Sequence, residues 1–471
     1  MYDIIIVGAG VVGSMIARTL SKYNLRILVL EKENDVAAGT SGANSAILHS
    51  GYDPLPNTLK AKLNVIGNSL YDDICKELDI EIIRNGSLTI ARNDEEERIL
   101  DELLLRAKKN GVDAIIIDKD KVLELEPNIT KNVKSALYAK RAGIINPFEL
   151  CVGLMENAIE NKVEFLLNSE VINIVKKDNY YVYTNKNEYI TKAVINCAGL
   201  YADDINNMVC ENKINIKPRR GEYLVLDHFD DNFIKHVIFT VPSSKGKGVL
   251  LTPTTAYNYL IGPSSNFVDS KDDVSTSKDV LENVKEKANM IIDNIPYKHI
   301  IKQFSGNRAV SDNDDFIIEE SQPGFINVAG IQSPGLVAAP AIAVEVENMI
   351  KKSFKLELRK DYSPYRKQVI RFNRLSKVDQ QKLIDENKQY GNIVCRCEVV
   401  TEAEIRDSIR RSCGAKSVRG VKIRTRAGFG RCQGGFCQSR VIKILAEELN
   451  IDVSLVDYDK LNSPVMKKLG K

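Results

Sequence analysis

Four cysteines crowd the carboxyl-terminal part of this chain: Cys395 and Cys397 as Cys-x-Cys, then Cys432 and Cys437 as Cys-x4-Cys. Four thiolates so spaced can close on one tetrahedral metal site or on the two irons of a [2Fe–2S] cluster. The short Cys-x-Cys lets two sulfurs reach one face of a loop, and Gly434-Gly435 lets the backbone curl around inorganic sulfide. At the other end stands a glycine triplet, Gly8, Gly10 and Gly13, followed by an acid, Glu31. In a dinucleotide site the first glycine permits a tight turn, the second lets backbone approach a pyrophosphate, and the third lets helix pack on strand. The helix N-terminus offers N–H groups to the phosphates, and Glu31 can accept from ribose hydroxyls. Two redox-capable sites on one polypeptide imply an electron path.

The elements that must hold these residues follow from hydrophobic pattern. Residues 2–7 are a continuous apolar, β-branched run, as a strand buried on both faces should be. A helix is expected over 14–23 and a second strand over 26–30, giving a βαβ dinucleotide unit. Residues 34–56 form a long loop rich in Gly, Ser, Asn and Pro, and such loops are usually functional. Helices are expected over 58–79 and 95–110, the latter with its apolar stripe on the sheet of a second domain. A short buried strand over 193–198 ends in Gly199. Several short strands lie between 219 and 263, a strand over 325–329 is closed by a glycine turn, and a helix spans 338–350. A polar linker over 351–392 wraps back on the body, and the cysteine module occupies about 393–451.

A chain of 471 residues calls for two or three domains. The net charge of +3 carries no global polyanion signature, but basic residues gather between Arg396 and Lys443. Only Phe429 and Phe436 interleave with them, which speaks against nucleic acid. The arginines are expected to offset the charge of a thiolate cluster. Nine cysteines without regular spacing or a secretory leader argue against a disulfide scaffold. The uncharged run over 4–17 is shorter than the ~20 residues a spanning helix needs. A cytoplasmic protein is expected, with peripheral membrane association left open.

The glycine triplet alone does not decide between NAD and FAD. From residue 1 to about 350 the chain resembles the FAD-dependent amine and hydroxy-acid oxidase (DAO) family. The resemblance rests on the triplet with Glu31, the loop Gly39-Thr-Ser-Gly-Ala-Asn-Ser-Ala-Ile-Leu-His-Ser-Gly51, Asn196-Cys-Ala-Gly199, Arg219-Arg-Gly-Glu-Tyr223, Gly306-Asn-Arg308 and the segment Gly330 to Gly335. It implies an α/β fold with a Rossmann-like FAD-binding domain (1–80, 145–215, 305–352) interleaved with an antiparallel-sheet substrate domain (81–144, 216–304). It implies FAD contacts from Gly8, Gly10, Gly13, Glu31, Thr40, Ser41, Asn44, Ser45, Gly199, Gly330, Gln332, Gly335 and Leu336. In the family the middle loop flanks the isoalloxazine, and the last glycine segment starts a helix whose positive end faces the flavin pyrimidine edge. His49 in the flanking loop is a candidate base for alcohol oxidation, or else shapes the loop. Arg308 matches the family arginine that binds the substrate anion; its alternative is an ion pair with Asp312, Asp314 or Asp315. Tyr223 and Arg220 are further substrate-facing candidates. One departure stands out: His49-Ser-Gly51 is followed by Tyr52-Asp53, not by the phosphate-binding arginine of respiratory glycerol-3-phosphate dehydrogenases. The loop looks closer to L-2-hydroxyglutarate oxidases.

Residues 392–452 resemble the bacterioferritin-associated ferredoxin-like [2Fe–2S] domain, through Cys395-Arg-Cys-Glu398 and Arg424-Thr-Arg-Ala-Gly-Phe-Gly-Arg-Cys-Gln-Gly-Gly-Phe-Cys437. This implies cluster ligation by Cys395, Cys397, Cys432 and Cys437, zinc being the rival. A linker (353–391) precedes this module and a tail (453–471) follows it. The combination resembles the anaerobic glycerol-3-phosphate dehydrogenase large-subunit family. It implies oxidation of glycerol 3-phosphate to dihydroxyacetone phosphate, with electrons leaving through the cluster to a second flavoprotein or quinone-linked acceptor. Alternatives are dehydrogenation of L-2-hydroxyglutarate or another small anionic hydroxy acid, and an electron-transfer subunit without its own organic substrate.

Overall fold

The computed structural model describes residues 1–242 and 248–466. Strand β1 (Tyr2–Val7) is covered on both faces, with Ile4, Ile5 and Ile6 wholly inaccessible. Helix α1 (Val11–Leu20) begins directly after the glycine turn, at Val11 rather than residue 14, with Gly10 as its N-cap. The β-branched pair Val11-Val12 hides this start from a propensity reading. Strand β2 (Ile27–Leu30) pairs parallel with β1. Helix α2 (Leu59–Glu77) is capped by Thr58, whose side chain accepts from the Ala61 N–H. Helix α3 (Pro147–Glu160) is capped by Asn146. Strand β3 (Glu188–Asn196) runs parallel to β1 on the side away from β2.

The chain then returns to a nine-stranded sheet, to which Ser87–Ala91, Ile115–Asp118 and Ser135–Ala139 have already contributed. Strand β4 (Ile216–Leu226) pairs antiparallel along its length with β5 (Ile300–Ser311), placing Arg219 opposite Arg308, Gly221 opposite Gly306 and Tyr223 opposite Phe304. Strand parity puts these six residues on one face. The expected run of short strands thus begins with one long strand and continues as Val237–Thr240, Leu250–Pro253 and Tyr259–Gly262. Strand β5 runs across the boundary expected at residue 305 and belongs wholly to this sheet. Helix Asp94–Lys109 buries Leu100, Leu103 and Ala107, as its stripe indicated.

Strand β6 (Phe325–Ala329) returns to the first sheet, parallel to β3. Helix α4 (Gly335–Ser353) starts at Gly335, earlier than expected, and carries Pro340 inside it. It crosses α2 closely enough that a Cβ on Gly67 would sit 3.0 Å from the Ala338 backbone. The following segment wraps back: Arg366 donates to Glu156 at 2.5 Å, and Arg371 pairs with Glu149 and Asp79.

The last body of structure has its own small core, including Val394, Val400, Ile405 and Leu445. Helix α5 (Glu402–Arg410) opens with a capping box between Thr401 and Glu404. Helices α6 (Val418–Thr425) and α7 (Gln438–Leu449) complete it. Residues 467–471 of the expected tail, and 243–247 of the expected substrate domain, lie outside the described residues.

Candidate active site and cluster module

A cavity of about 1150 Å³ runs from the β1–α1 turn to the β4–β5 face. That exceeds the ~300–1,000 Å³ of ordinary small-molecule sites, so a dinucleotide and a substrate fit together. Its wall contains Gly8, Gly10, Glu31, Thr40, Ser41, Asn44, Ser45, Gly199, Gln332, Gly335 and Leu336. Gly13 and Gly330 are not in the wall; Gly13 packs under the turn and Gly330 shapes the bend before α4 at φ +66°. Gly8 sits at φ +102°, where any Cβ would come 2.6 Å from the Cys197 carbonyl, so only glycine serves. Ser41 Oγ accepts from the Val11 N–H at 2.9 Å, bringing the long loop onto the N-terminus of α1. Glu31 accepts from the N–H groups of Ala9 (2.7 Å) and Glu33 (3.0 Å). Burial nonetheless raises its carboxyl above the ordinary range.

At the far end, Ser45 Oγ lies 3.2 Å from the Tyr223 hydroxyl, and the Tyr223 ring stacks on Phe304 with centroids 4.7 Å apart. The His49 ring lies 5.8 Å from that of Phe239, and its carbonyl accepts from Asn64 and Asn68. Arg308 finds only the Ser264 carbonyl, at 3.4 Å, and no carboxylate pairs with it among the described residues. The surface ion pair held open for it is therefore absent there. Arg219 lies beside it, donating to Gln332 Oε1 at 2.7 Å, with its Nε buried and unpartnered among the described residues. Burial first, and Arg308 next, hold the Arg219 guanidinium below its ordinary value. Lys60 completes the group, paired with Asp314. Arg220, expected at the substrate, points the other way: it donates to Asp273 at 2.6 Å, close to the buried Glu222.

The four cluster candidates stand as two pairs. Cys397 and Cys432 bring their sulfurs within 3.5 Å. Cys395 and Cys437 are buried against each other. The Cys437 thiol donates to Cys395, and the N–H groups of Gly428 and Glu398 also point at that sulfur, drawing Cys395 toward the thiolate. Cys432 receives the N–H groups of Phe436 and Gly434. Amide donors aimed at sulfur suit a thiolate-held cluster. Among the described residues no three His, Cys, Asp or Glu side chains are set for one metal ion. Two pairs of thiols can supply two ligands to each iron of a [2Fe–2S] cluster.

Residues 3–349 match the family model described as FAD dependent oxidoreductase (DAO). The chain belongs to the FAD dependent oxidoreductase family. Residues 393–447 of this oxidoreductase match the BFD-like [2Fe-2S] binding domain, so its cofactors are FAD in the body and a [2Fe–2S] cluster in the module. The glycerol 3-phosphate dehydrogenase of Caloramator mitchellensis is 49% identical over 99% of this chain and 98% of its own length. The L-2-hydroxyglutarate dehydrogenase of Caenorhabditis briggsae is 32% identical over 56% of this chain and 63% of its own. Dithionite-reduced L-alpha-glycerophosphate oxidase from Mycoplasma pneumoniae, with FAD bound, superposes at TM-score 0.74 with 30% identity, covering 78% of this chain and 98% of that one.

The oxidoreductase body and its module meet over a polar and aromatic seam. Arg424 forks onto Asp35 at 2.6 and 2.7 Å, with both side chains almost inaccessible. Arg419 donates to the Ala37 carbonyl at 3.3 Å and enters the cavity wall, as do Asp459 and Lys460. The Phe429 ring, beside the cluster loop, meets Phe148 of α3 at 6.0 Å, with Lys422 and Arg426 over it. The arginines expected to offset cluster charge are thus mostly spent elsewhere: Arg406 and Arg410 bind Glu448, Arg411 binds Asp407, and Arg424 binds Asp35. Sequence reasoning missed Arg219 and Lys60. The Arg219-Arg220 pair itself was visible, but which member faces the cavity depends on the register of β4 against β5.

Proposed function

We propose that this oxidoreductase converts glycerol 3-phosphate to dihydroxyacetone phosphate and passes the electrons to a separate acceptor. The observation that carries this is the side-by-side placement of Arg219 and Arg308 on the cavity face of β4 and β5. Two guanidiniums at one spot suit a single doubly charged group such as a phosphate. The two carboxylates of a hydroxyglutarate stand at opposite ends of the molecule and call for separated cations. The whole-length likeness to the Caloramator dehydrogenase, module included, supports the same reading.

Oxidising the secondary alcohol removes a hydride from carbon and a proton from oxygen. When bound, FAD supplies the two-electron acceptor and the [2Fe–2S] cluster a one-electron exit. Arg219 and Arg308 hold the phosphate, Tyr223 and Ser45 line the wall beside it, and His49 takes the hydroxyl proton. The anaerobic test is rapid mixing with glycerol 3-phosphate and, separately, L-2-hydroxyglutarate. Loss of the oxidised-flavin absorbance with the first and not the second is expected; the reverse pattern overturns the assignment.

A further inference from the structure

The cluster module presents one end to solvent, and that end is chemically distinctive. Phe436 is 84% exposed, more than any other large apolar side chain among the described residues. Its backbone N–H points at Cys432 Sγ, so the residue adjoins a cluster ligand. Cys397 is exposed as well, whereas Cys395 and Cys437 are buried. Arg396 and Arg431 adjoin the two outer ligands, and both are exposed. Arg406, Arg410, Arg411 and Arg424 all pair with carboxylates. Arg396 and Arg431 have no carboxylate partner among the described residues.

We propose that Phe436, Arg396 and Arg431 form the docking surface for a small acidic one-electron carrier protein. This rests on the reading above that electrons leave through the cluster. An aromatic flanked by arginines is the composition of interface hot spots. An uncompensated positive patch also steers an acidic partner toward its docking point. The body approaches the module on another side, through Phe429, Arg419 and Arg424. Entry from the flavin and exit to the carrier therefore use different faces. Each glycerol 3-phosphate oxidised yields two electrons and two protons; two carriers take one electron each, and the protons go to solvent. A membrane is the weaker occupant, because a lone aromatic among charges lacks the broad apolar face of an interfacial anchor.

The test uses the anaerobic holoenzyme with an acidic flavodoxin as probe. Binding is measured by calorimetry at low and high salt, and probe reduction is followed optically with glycerol 3-phosphate or with prereduced enzyme. The wild type should bind at low salt and release at high salt. F436S and R396E/R431E should bind at least about tenfold more weakly and reduce the probe correspondingly slowly. Cluster absorbance, flavin bleaching and reduction of a small neutral quinone should stay at wild-type values. Unchanged probe binding in the variants overturns the proposal. So does an enzyme that ignores the probe but binds anionic phospholipid vesicles through the same residues. Failure of glycerol 3-phosphate to bleach the wild-type flavin overturns the substrate reading alone, because prereduced enzyme still interrogates the docking surface.

Discussion

Arg424→Met should loosen the cluster module from the flavin body. The Arg424 fork and Asp35 are 4% and 3% exposed, and Asp35 has one other donor among the described residues, the Val36 N–H at 2.8 Å. Burial draws the guanidinium's pKa down, but Asp35 more than offsets that. Removing one member of such a pair leaves a buried carboxylate uncompensated, which costs about 3–5 kcal/mol. At ~1.4 kcal/mol per decade this multiplies the open population by more than about a hundredfold. Amide hydrogen exchange of helix α6 reads that population, since undocking is a local opening below global unfolding. The Asp35→Leu/Arg424→Met double variant should return most of the protection, because an apolar pair of similar volume replaces the charged one. An acceleration in Arg424→Met below about fivefold, or a double variant as labile as the single, would refute the reasoning.

Other expectations follow from the cavity and the seam. Arg308→Ala and Arg219→Ala should each lower kcat/KM for glycerol 3-phosphate by roughly 10- to 150-fold, the worth of a charge-assisted hydrogen bond. Arg220→Ala should leave substrate affinity nearly unchanged; steady-state kinetics of the three variants decide. His49→Asn should cut kcat by about 10²–10⁴ with flavin content intact, as loss of a general base does, and turnover near wild type would remove that role. Lys422 is pushed down to about 8 by burial first and Lys302 next. In the cluster-free protein the folded state sheds this proton before the unfolded chain does. Stability should therefore rise from about pH 8 toward the ordinary lysine value of 10.5. Urea titrations across that window should show the rise in wild type and not in Lys422→Met.

Local signals were legible in the sequence and tertiary choices were not. The β1 turn and the cysteine loop declare themselves because glycine spacing, apolar runs and Cys-x-Cys are local constraints on backbone. Arg219 as a cavity residue did not, because Arg219 and Arg220 alternate across β4 and a one-residue change of register would exchange them. The arginines of the module read as counter-charges to the cluster, yet two of their partners, Asp35 and Glu156, lie hundreds of residues away in the chain. Charge is visible in a sequence; its partner is a property of the packing. Helix α4 was placed late because Gly335 and Pro340 disguise its first turns.

Arg419 of the iron–sulfur module, with Asp459 and Lys460 of the tail that follows it, forms part of the wall of the flavin chamber. Whatever the seated module does to nucleotide affinity, the nucleotide then returns to the seating of the module by the same factor. Because the cluster adds its binding free energy to the fold of so small a unit, scarcity of iron would be felt at the flavin, in a domain that ligates no iron.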